Sequence, residues 1–445
     1  MLCYVKFNGI ISLTKTQMEI HMNLLQFDRF DMLKKPIRQR HFLRPITWLI
    51  SYPAVWAHRS KITKIGMQGL KPPYLLLCNH NSFFDFKVMT AALFPHRANY
   101  LVAIDGFIGR EWLMRNVGCI CKRKFTSDTV MVRHMKRVAE NGDVVVLYPE
   151  ARYSLCGTNA VLPESLGKLA KLLKIPVVTL IMHGHHVNSP FWNIKNRKVK
   201  HTEAVLTQLV TKDEIEKLDY KEINARIDTI FKYDDFAWQK DRNVRISYHD
   251  RAKGLHKVLY QCPNCHTEYR MASEGSKLWC NSCNKQWEMS EYGELSALNG
   301  KTEFTHIPDW YEWERSQVRN EIERGAYRFE SDVTVDSLPN AKGFINLGKG
   351  KLIHDINGFL LEGEYEGTPY SVSINSKALY SCHIEYNYLG NRGDCVDLNT
   401  LTDTYYVFPK GEDFSVTKIA LATEEIYNLL RSGYNINPHK TEQLG

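Results

Sequence analysis

Residues 75–86 read LLLCNHNSFFDF. An apolar run, Leu75 to Cys78, ends in a polar loop. The loop places an imidazole at His80, and a carboxylate follows at Asp85. The run is short, continuous and bounded by polar residues, so it reads as a strand buried on both faces. The helix pattern that follows spans Ser82 to Leu93. In open α/β sheets, ligands sit outside the carboxyl ends of the strands. His80 lies at such an end, and Asp85 falls about one turn into the next helix. A carboxylate there can meet one ring nitrogen, fix the tautomer and leave the other nitrogen as a base.

The same alternation continues outward from this stretch. Residues 99–104, NYLVAI, 142–154, GDVVVLYPEARYS, and 176–182, PVVTLIM, read as further strands. Helices are expected at 110–117, 128–140 with Asp128 as cap, 164–174, and 211–231. One or two strands fall in 199–210, and a basic connector runs to about 259. Strand alternating with helix, with nearly continuous apolar strands, defines an α/β domain over 60–259.

The charge is divided. Residues 1–260 hold 41 Lys and Arg against 22 Asp and Glu, whereas 261–445 hold 17 against 27. A basic half joined to an acidic half indicates separate modules with separate partners. The basic half suits nucleic acid, anionic lipid or phosphorylated ligands. Residues 42–59, FLRPITWLISYPAVWAHR, are apolar and aromatic between Arg44 and Arg59, and follow the basic run MLKKPIRQRH at 32–41. Trp48, Tyr52 and Trp56 recur at helical spacing. This segment, within a basic amphipathic N-terminal region 1–59, either lies on an anionic membrane surface or packs on the next domain. No apolar stretch reaches the length of a spanning helix, and residues 1–30 lack the pattern of a secretory signal.

Two strand-end loops carry charge beside His80. GCICKRK, 118–124, ends in Lys122, Arg123 and Lys124, and YPEARYS, 148–154, holds Glu150 and Arg152. Such loops can hold a phosphorylated substrate, with Arg152 bidentate and the lysines as point charges. The bland alternative for 122–124 is a solvated loop. Glu150 reads as a structural ion pair or an acceptor of a substrate hydroxyl.

These blocks, in this order, resemble the glycerolipid acyltransferases, the family that includes lysophosphatidic acid acyltransferase. NHNSFFD is similar to the family block NHxxxxD, and YPEARYS to FPEGTRS. GCICKRK and KIPVVTL, 174–180, stand at the second and fourth blocks, with Lys124 at the usual arginine position. The resemblance covers roughly residues 60–200 and implies a mixed sheet flanked by helices. It implies acyl transfer without an acyl-enzyme: His80 deprotonates a hydroxyl, Asp85 orients it, and the alkoxide attacks the thioester of acyl-CoA or acyl-carrier protein. Glu150, Arg152, Lys122, Arg123 and Lys124 would bind the phosphate-bearing acceptor, by default 1-acyl-glycerol-3-phosphate. The protein would sit peripherally on the cytoplasmic face of a membrane. The chain departs from the pattern where Ala151 replaces Gly, Arg152 replaces Thr, Tyr153 takes the Arg position, Arg123 fills a position that is often Asp, and Thr179 stands where Pro is common.

CPNC at 262–265 and CNSC at 280–283 are two Cys-x-x-Cys knuckles with 14 residues between them. Cys262, Cys265, Cys280 and Cys283 can form a tetrahedral Zn2+ site, and with all four positions filled by thiolates the metal is structural. The segment 260–290 resembles a zinc ribbon. Free thiols and a thiolate site fit a reducing compartment. From 291 to 445 the sequence reads as a charged helix at 308–325, then alternating runs (YRFESDVTV, GKLIHDI, GFLLEGEY, YSVSIN), a last strand at 402–409 and a closing helix at 415–431: an antiparallel β-rich domain. Two other functions compete: a catalytically inactive lipid-binding scaffold, and a zinc-ribbon nucleic-acid-binding protein. The second leaves His80, Asp85 and Glu150 unexplained, and the acidic half would repel a phosphate backbone.

Overall fold

A computed structural model describes residues 27–433; residues 1–26 of the N-terminal region lie outside it. A helix α1 (Arg44–Ala57) opens the described fold, followed by β1 (Lys61–Ile65), β2 (Leu75–Cys78), α2 (Phe84–Leu93), β3 (Ala98–Ala103), α3 (Glu111–Asn116), β4 (Cys119–Lys122), α4 (Thr129–Glu140), β5 (Val144–Leu147), α5 (Ser165–Leu173), β6 (Val177–His183), α6 (His185–Asn188) and β7 (Glu203–Val210). The seven strands form one sheet in the order β1-β7-β6-β2-β5-β3-β4. Strands β2 to β6 run parallel, and β7 pairs antiparallel with β6. The sheet is therefore mixed. Its central strands are the apolar runs of the sequence, with every residue of β2 and β5 buried. Burial on both faces is what an unalternating LLLC or VVVL requires.

One face packs on α1 and α2, the other on α4, α5 and a later helix. Asp128 caps α4, its carboxylate accepting from the backbone N–H of Val130 at 2.8 Å and Met131 at 3.2 Å. The charged stretch 211–231 forms two helices rather than one, α7 (Lys212–Lys217) and α8 (Tyr220–Ile230). Each has its own capping box, Thr211 with Glu214 and Asp219 with Glu222. A second cap eight residues after the first restarts the chain, so the break follows from cap chemistry. The basic connector also contains a helix, α9 (Asp235–Asp241), anchored by buried Phe236 and Trp238.

Beyond 260 a four-stranded sheet holds β8 (Met271–Glu274), β9 (Lys277–Cys280), β10 (Gln286–Met289) and β11 (Leu295–Ala297), all antiparallel. Helix α10 (Ile307–Glu323) packs on it through Trp310, whose ring meets Trp287 edge-on at 4.9 Å. Then come β12 (Phe329–Ser337), β13 (Ile345–Asp355), β14 (Gly358–Tyr365), β15 (Thr368–Asn375), β16 (His383–Glu385), β17 (Cys395–Asn399), β18 (Thr404–Pro409) and the closing helix α11 (Val416–Arg431). These strands form an antiparallel sheet in the order β15-β14-β13-β12-β18-β17-β16.

The C-terminal sheet docks on the α/β domain through buried cations. Arg123, 2% exposed, donates to the carbonyls of Leu338, Pro339 and Thr402 and to Thr404 Oγ1. Arg152, 4% exposed, pairs with Glu424 of α11 at 2.5 Å, and Arg315 of α10 reaches the other Glu424 oxygen at 2.8 Å. Burial alone would raise the Glu424 carboxyl, yet these two guanidinium groups hold it below its ordinary range. Removing one side of such a buried pair strands the other charge. Glu424→Ala is expected to lower unfolding free energy by about 3–5 kcal/mol in urea denaturation; a loss below about 1 kcal/mol would mean that this network does not hold the two halves together.

Candidate active site

The site is built where β2 ends. Asn79 clamps that end to β6: its Nδ2 donates to the Met182 carbonyl at 2.9 Å, and its Oδ1 accepts from Met182 N–H at 2.8 Å. The chain then turns through His80–Phe83 and enters α2. Asp85, in the first turn and fully buried, points back into this turn. Its Oδ2 accepts from the N–H of Asn81 at 2.6 Å and Ser82 at 2.9 Å, and lies 3.0 Å from His80 Nδ1. Its Oδ1 lies 2.6 Å from Nδ1 of His185. Burial pushes the carboxyl up, but the bonds to His185 and His80 more than offset it and hold Asp85 at about 2. With Nδ1 donating to an ionised carboxylate, the lone pair of His80 resides on Nε2.

Two aromatic rings fix the plane of His80. Tyr148 stacks on it at a centroid distance of 4.1 Å, and Tyr153 closes from another side at 4.3 Å. The His80 side chain keeps 23% of its surface exposed, so the ring is held yet reachable. Its backbone is held too, with His80 N–H meeting Glu150 Oε1 at 3.4 Å and its carbonyl accepting from Ser154 N–H at 2.8 Å.

Glu150 has no exposed surface. Its other oxygen accepts from Ala160 N–H at 3.0 Å, and Tyr233 O–H lies 3.4 Å from each oxygen. Burial raises its carboxyl to about 8. In this position Glu150 braces the loop beneath His80, which is a different place from an open acceptor site. The next residue, Ala151, has φ +54°. A Cβ in that left-handed region costs roughly 1–2 kcal/mol, and the resembling block carries glycine there.

Of the five charged residues expected around a substrate phosphate, Glu150 meets the His80 backbone, whereas the four basic ones have their contacts elsewhere. Arg152 and Arg123 are spent on the interdomain contacts described above, the physical reason being that both point into the buried interface with α11 and the C-terminal sheet. Lys122 is half-buried, and burial pulls its ammonium down, with Asp128 acting the other way. Lys124 lies 3.4 Å from Asp397 and 4.0 Å from Asp105. The solvated-loop alternative for 122–124 is corrected for Arg123 and Lys124, which are withdrawn from bulk water, while Lys122 stays half-buried.

His185 was not anticipated. It is fully buried at the carboxyl end of β6, the parallel neighbour of β2, so its loop faces the loop of His80. Asp235 of α9 holds that loop, accepting from Gly184 N–H at 3.0 Å and His186 N–H at 2.8 Å. Burial raises the Asp235 carboxyl to about 7. The signal was available in the sequence: HGHH at 183–186 is an imidazole cluster ending an apolar run, the same pattern that marked His80.

The four cysteines of the knuckles converge, with all four Sγ within 4.8 Å of one another. Cys262–Cys283 and Cys265–Cys280 are each 3.7 Å apart, and none of the four is in a disulfide. The cluster could hold one metal ion.

Residues 57–183 match the family model described as Acyltransferase. This part of the chain is an acyltransferase-family domain, and the His80–Asp85 pair lies inside it. No curated protein matches the chain. Among solved structures it is similar to the crystal structure of the 1-acyl-sn-glycerophosphate (LPA) acyltransferase, PlsC, from Thermotoga maritima, at 13% identity and a TM-score of 0.32, covering 50% of this chain and 90% of that one. That likeness is too slight to carry residues or substrates across.

The Asp85 geometry has a pH signature. A carboxyl held at about 2 stabilises the fold above the ordinary carboxylate range, and that contribution is lost as pH falls toward 2. It amounts to roughly 2 kcal/mol. The gap in unfolding free energy between wild type and Asp85→Asn is expected to shrink by about that much between pH 5 and pH 2, measured by denaturant titration. A gap independent of pH would remove the carboxylate from its bridging role.

Proposed function

We propose that the protein is an O-acyltransferase that moves a fatty acyl group from acyl-CoA or acyl-carrier protein to the hydroxyl of a glycerophospholipid precursor, with 1-acyl-glycerol-3-phosphate as the reference acceptor. One observation carries the reading: His80, steered through Nδ1 by an ionised, buried Asp85, inside the acyltransferase-family segment. Nε2 takes the proton as the acceptor oxygen attacks the thioester carbonyl, a C–O bond forms, and Asp85 stabilises the imidazolium. The C–S bond then breaks, and the thiolate leaves with the proton from His80. Asn81 Nδ2 and Ser82 Oγ, beside His80, are buried without hydrogen-bond partners and are the nearby donors for a developing oxyanion. Phosphate recognition by Lys124 requires its release from Asp397.

The reading includes a peripheral place on the cytoplasmic face of a membrane. No helix among the described residues is long and apolar enough to cross one. Helix α1 runs antiparallel to α2, with Trp48 against Phe94 at 4.9 Å and His58 against Phe84 at 4.5 Å. It packs and still exposes Ile46, Leu49, Ile50 and Trp56, with Phe42 exposed in the turn just before it. Phe83, in the loop of His80, is 68% exposed near the same end. Arg59, Lys61 and Lys64 are exposed close by. An apolar strip edged by cations suits the interface of an anionic bilayer.

The metal of the four-cysteine cluster is assigned as structural Zn2+. A tetrahedron with Zn–S of about 2.3 Å has edges of about 3.8 Å, and the two sulfur separations of 3.7 Å fit that edge. Bound there, zinc would cross-link a small ribbon that packs on α10.

Wild-type protein given labelled acyl-CoA or acyl-carrier protein and a panel of lysolipids should yield diacyl product by mass spectrometry. His80→Ala should cut kcat/KM by roughly 100- to 10,000-fold with the melting temperature kept. Undiminished turnover in that variant would sink the mechanism, and no product from wild type on any acceptor would leave a lipid-binding scaffold. In liposome flotation with anionic vesicles, Leu49→Glu with Trp56→Glu should weaken binding at least about tenfold, since each side chain buries about 1.5–3 kcal/mol of apolar surface. Equal flotation would make α1 a packing helix and nothing more.

A further inference from the structure

A second group of metal-ligand side chains lies away from the cysteine knuckles. Strands β16 and β17 pair so that His383 faces Asp397 and Glu385 faces Cys395. Residues two apart on a strand point to one face, so a His-x-Glu segment opposes a Cys-x-Asp segment on a single surface of this ribbon. Cys395 and Tyr406, the strand neighbour of Asp397, pack in the core shared with the α/β domain, so this surface is turned inward toward that domain. One donor atom each from His383, Glu385 and Asp397 lies within 4.8 Å of the other two. Asp397 Oδ2 is 2.8 Å from His383 Nδ1, and Glu385 Oε1 is 3.8 Å from Nε2. Cys395 Sγ is 3.9 Å from the second oxygen of Asp397.

Two observations point to an ion. The His383 side chain is 4% exposed, its Nδ1 resting on Asp397 Oδ2 at 2.8 Å, while Glu385 Oε1 stands 3.8 Å from Nε2, beyond hydrogen-bond reach. A buried imidazole set between two carboxylates is a ready ligand set for a metal ion. Carboxylates also gather here. Asp105, Glu385 and Asp397 supply three carboxylates, while Lys124 is the cation set between Asp397, at 3.4 Å, and Asp105, at 4.0 Å. A divalent cation here would let Glu385 ionise beside Asp397, and buried charge is tolerated where it is paired or bound to metal.

We propose that His383, Glu385 and Asp397 bind a divalent transition-metal ion at the junction between the C-terminal sheet and the acyltransferase-family domain, with Cys395 as an adjoining donor. One imidazole with two carboxylates is a ligand set that Zn2+ and its first-row neighbours accept. Lys124 competes for the same carboxylate. The site is separate from the knuckles and takes no ligand from the His80 loop; it meets the acyl-transfer reading only at Lys124, whose release from Asp397 that reading requires.

The test uses the full chain, stripped with chelator and reloaded with Zn2+ alone, with metal counted by mass spectrometry and affinity read by competition with a chromophoric chelator. Wild type should bind two equivalents, His383→Ala one and Cys280→Ser one. Glu385→Gln, which keeps the shape of the side chain, should weaken the second equivalent about tenfold or more, the scale on which lost metal contacts act. Lys124→Met should tighten it, because a competing ammonium is gone. Melting temperatures of the metal-free proteins show whether a variant folds. Two equivalents retained at unchanged affinity in both His383→Ala and Glu385→Gln would overturn the site, as would a wild-type chain whose single equivalent disappears in Cys280→Ser. A single wild-type equivalent lost in His383→Ala and kept in Cys280→Ser would uphold this site and reject the knuckles.

Discussion

The arrangement depends on one buried carboxylate. Asp85 accepts from two backbone N–H groups with the same oxygen that meets His80, and gives its second oxygen to His185. Four polar groups thus share two oxygens of a carboxylate with no exposed surface. An ionised carboxylate taken from water is costly unless its acceptor sites are filled, and here they are. Because the backbone bonds shape the turn that carries His80, the same interaction sets both the loop and the imidazole. Fold and chemistry cannot be separated at this point.

Basic residues near the site have a different use from the one their spacing implied. In a chain with a single domain, cations at strand ends would face solvent and be free for phosphate. Here a second sheet covers that edge. Arg123 satisfies four acceptors of the C-terminal domain, and Arg152 neutralises Glu424 in a helix buried on nearly all sides. The basic half and acidic half of the sequence meet in Arg152–Glu424 and Lys124–Asp397. Charge asymmetry that read as two separate partners is partly the attraction of the two halves for each other.

The α/β half was legible because its strands are unbroken apolar runs and its helices carry caps such as Asp128. His80 and Asp85 were legible because they lie five residues apart, and local spacing fixes their approach. The knuckles were legible for the same reason. His185 lies 100 residues from Asp85, and it meets that carboxylate through strand order, which no local pattern encodes. The fates of Arg123 and Arg152 depend on a partner surface more than 200 residues away. The break between α7 and α8 was written in two capping boxes that the charge pattern of 211–231 obscured.

The central claim is a tautomer: the His80 proton sits on Nδ1 because Asp85 accepts it, so that Nε2 is the base. Ring 15N NMR of histidine-labelled protein, assigned through His80→Gln and His185→Gln, reads this directly. The account predicts neutral His80 protonated at Nδ1 in wild type and a shift of that proton toward Nε2 when Asp85 becomes asparagine. A His80 ring already protonated at Nε2 in wild type, or one indifferent to the Asp85 substitution, would contradict it.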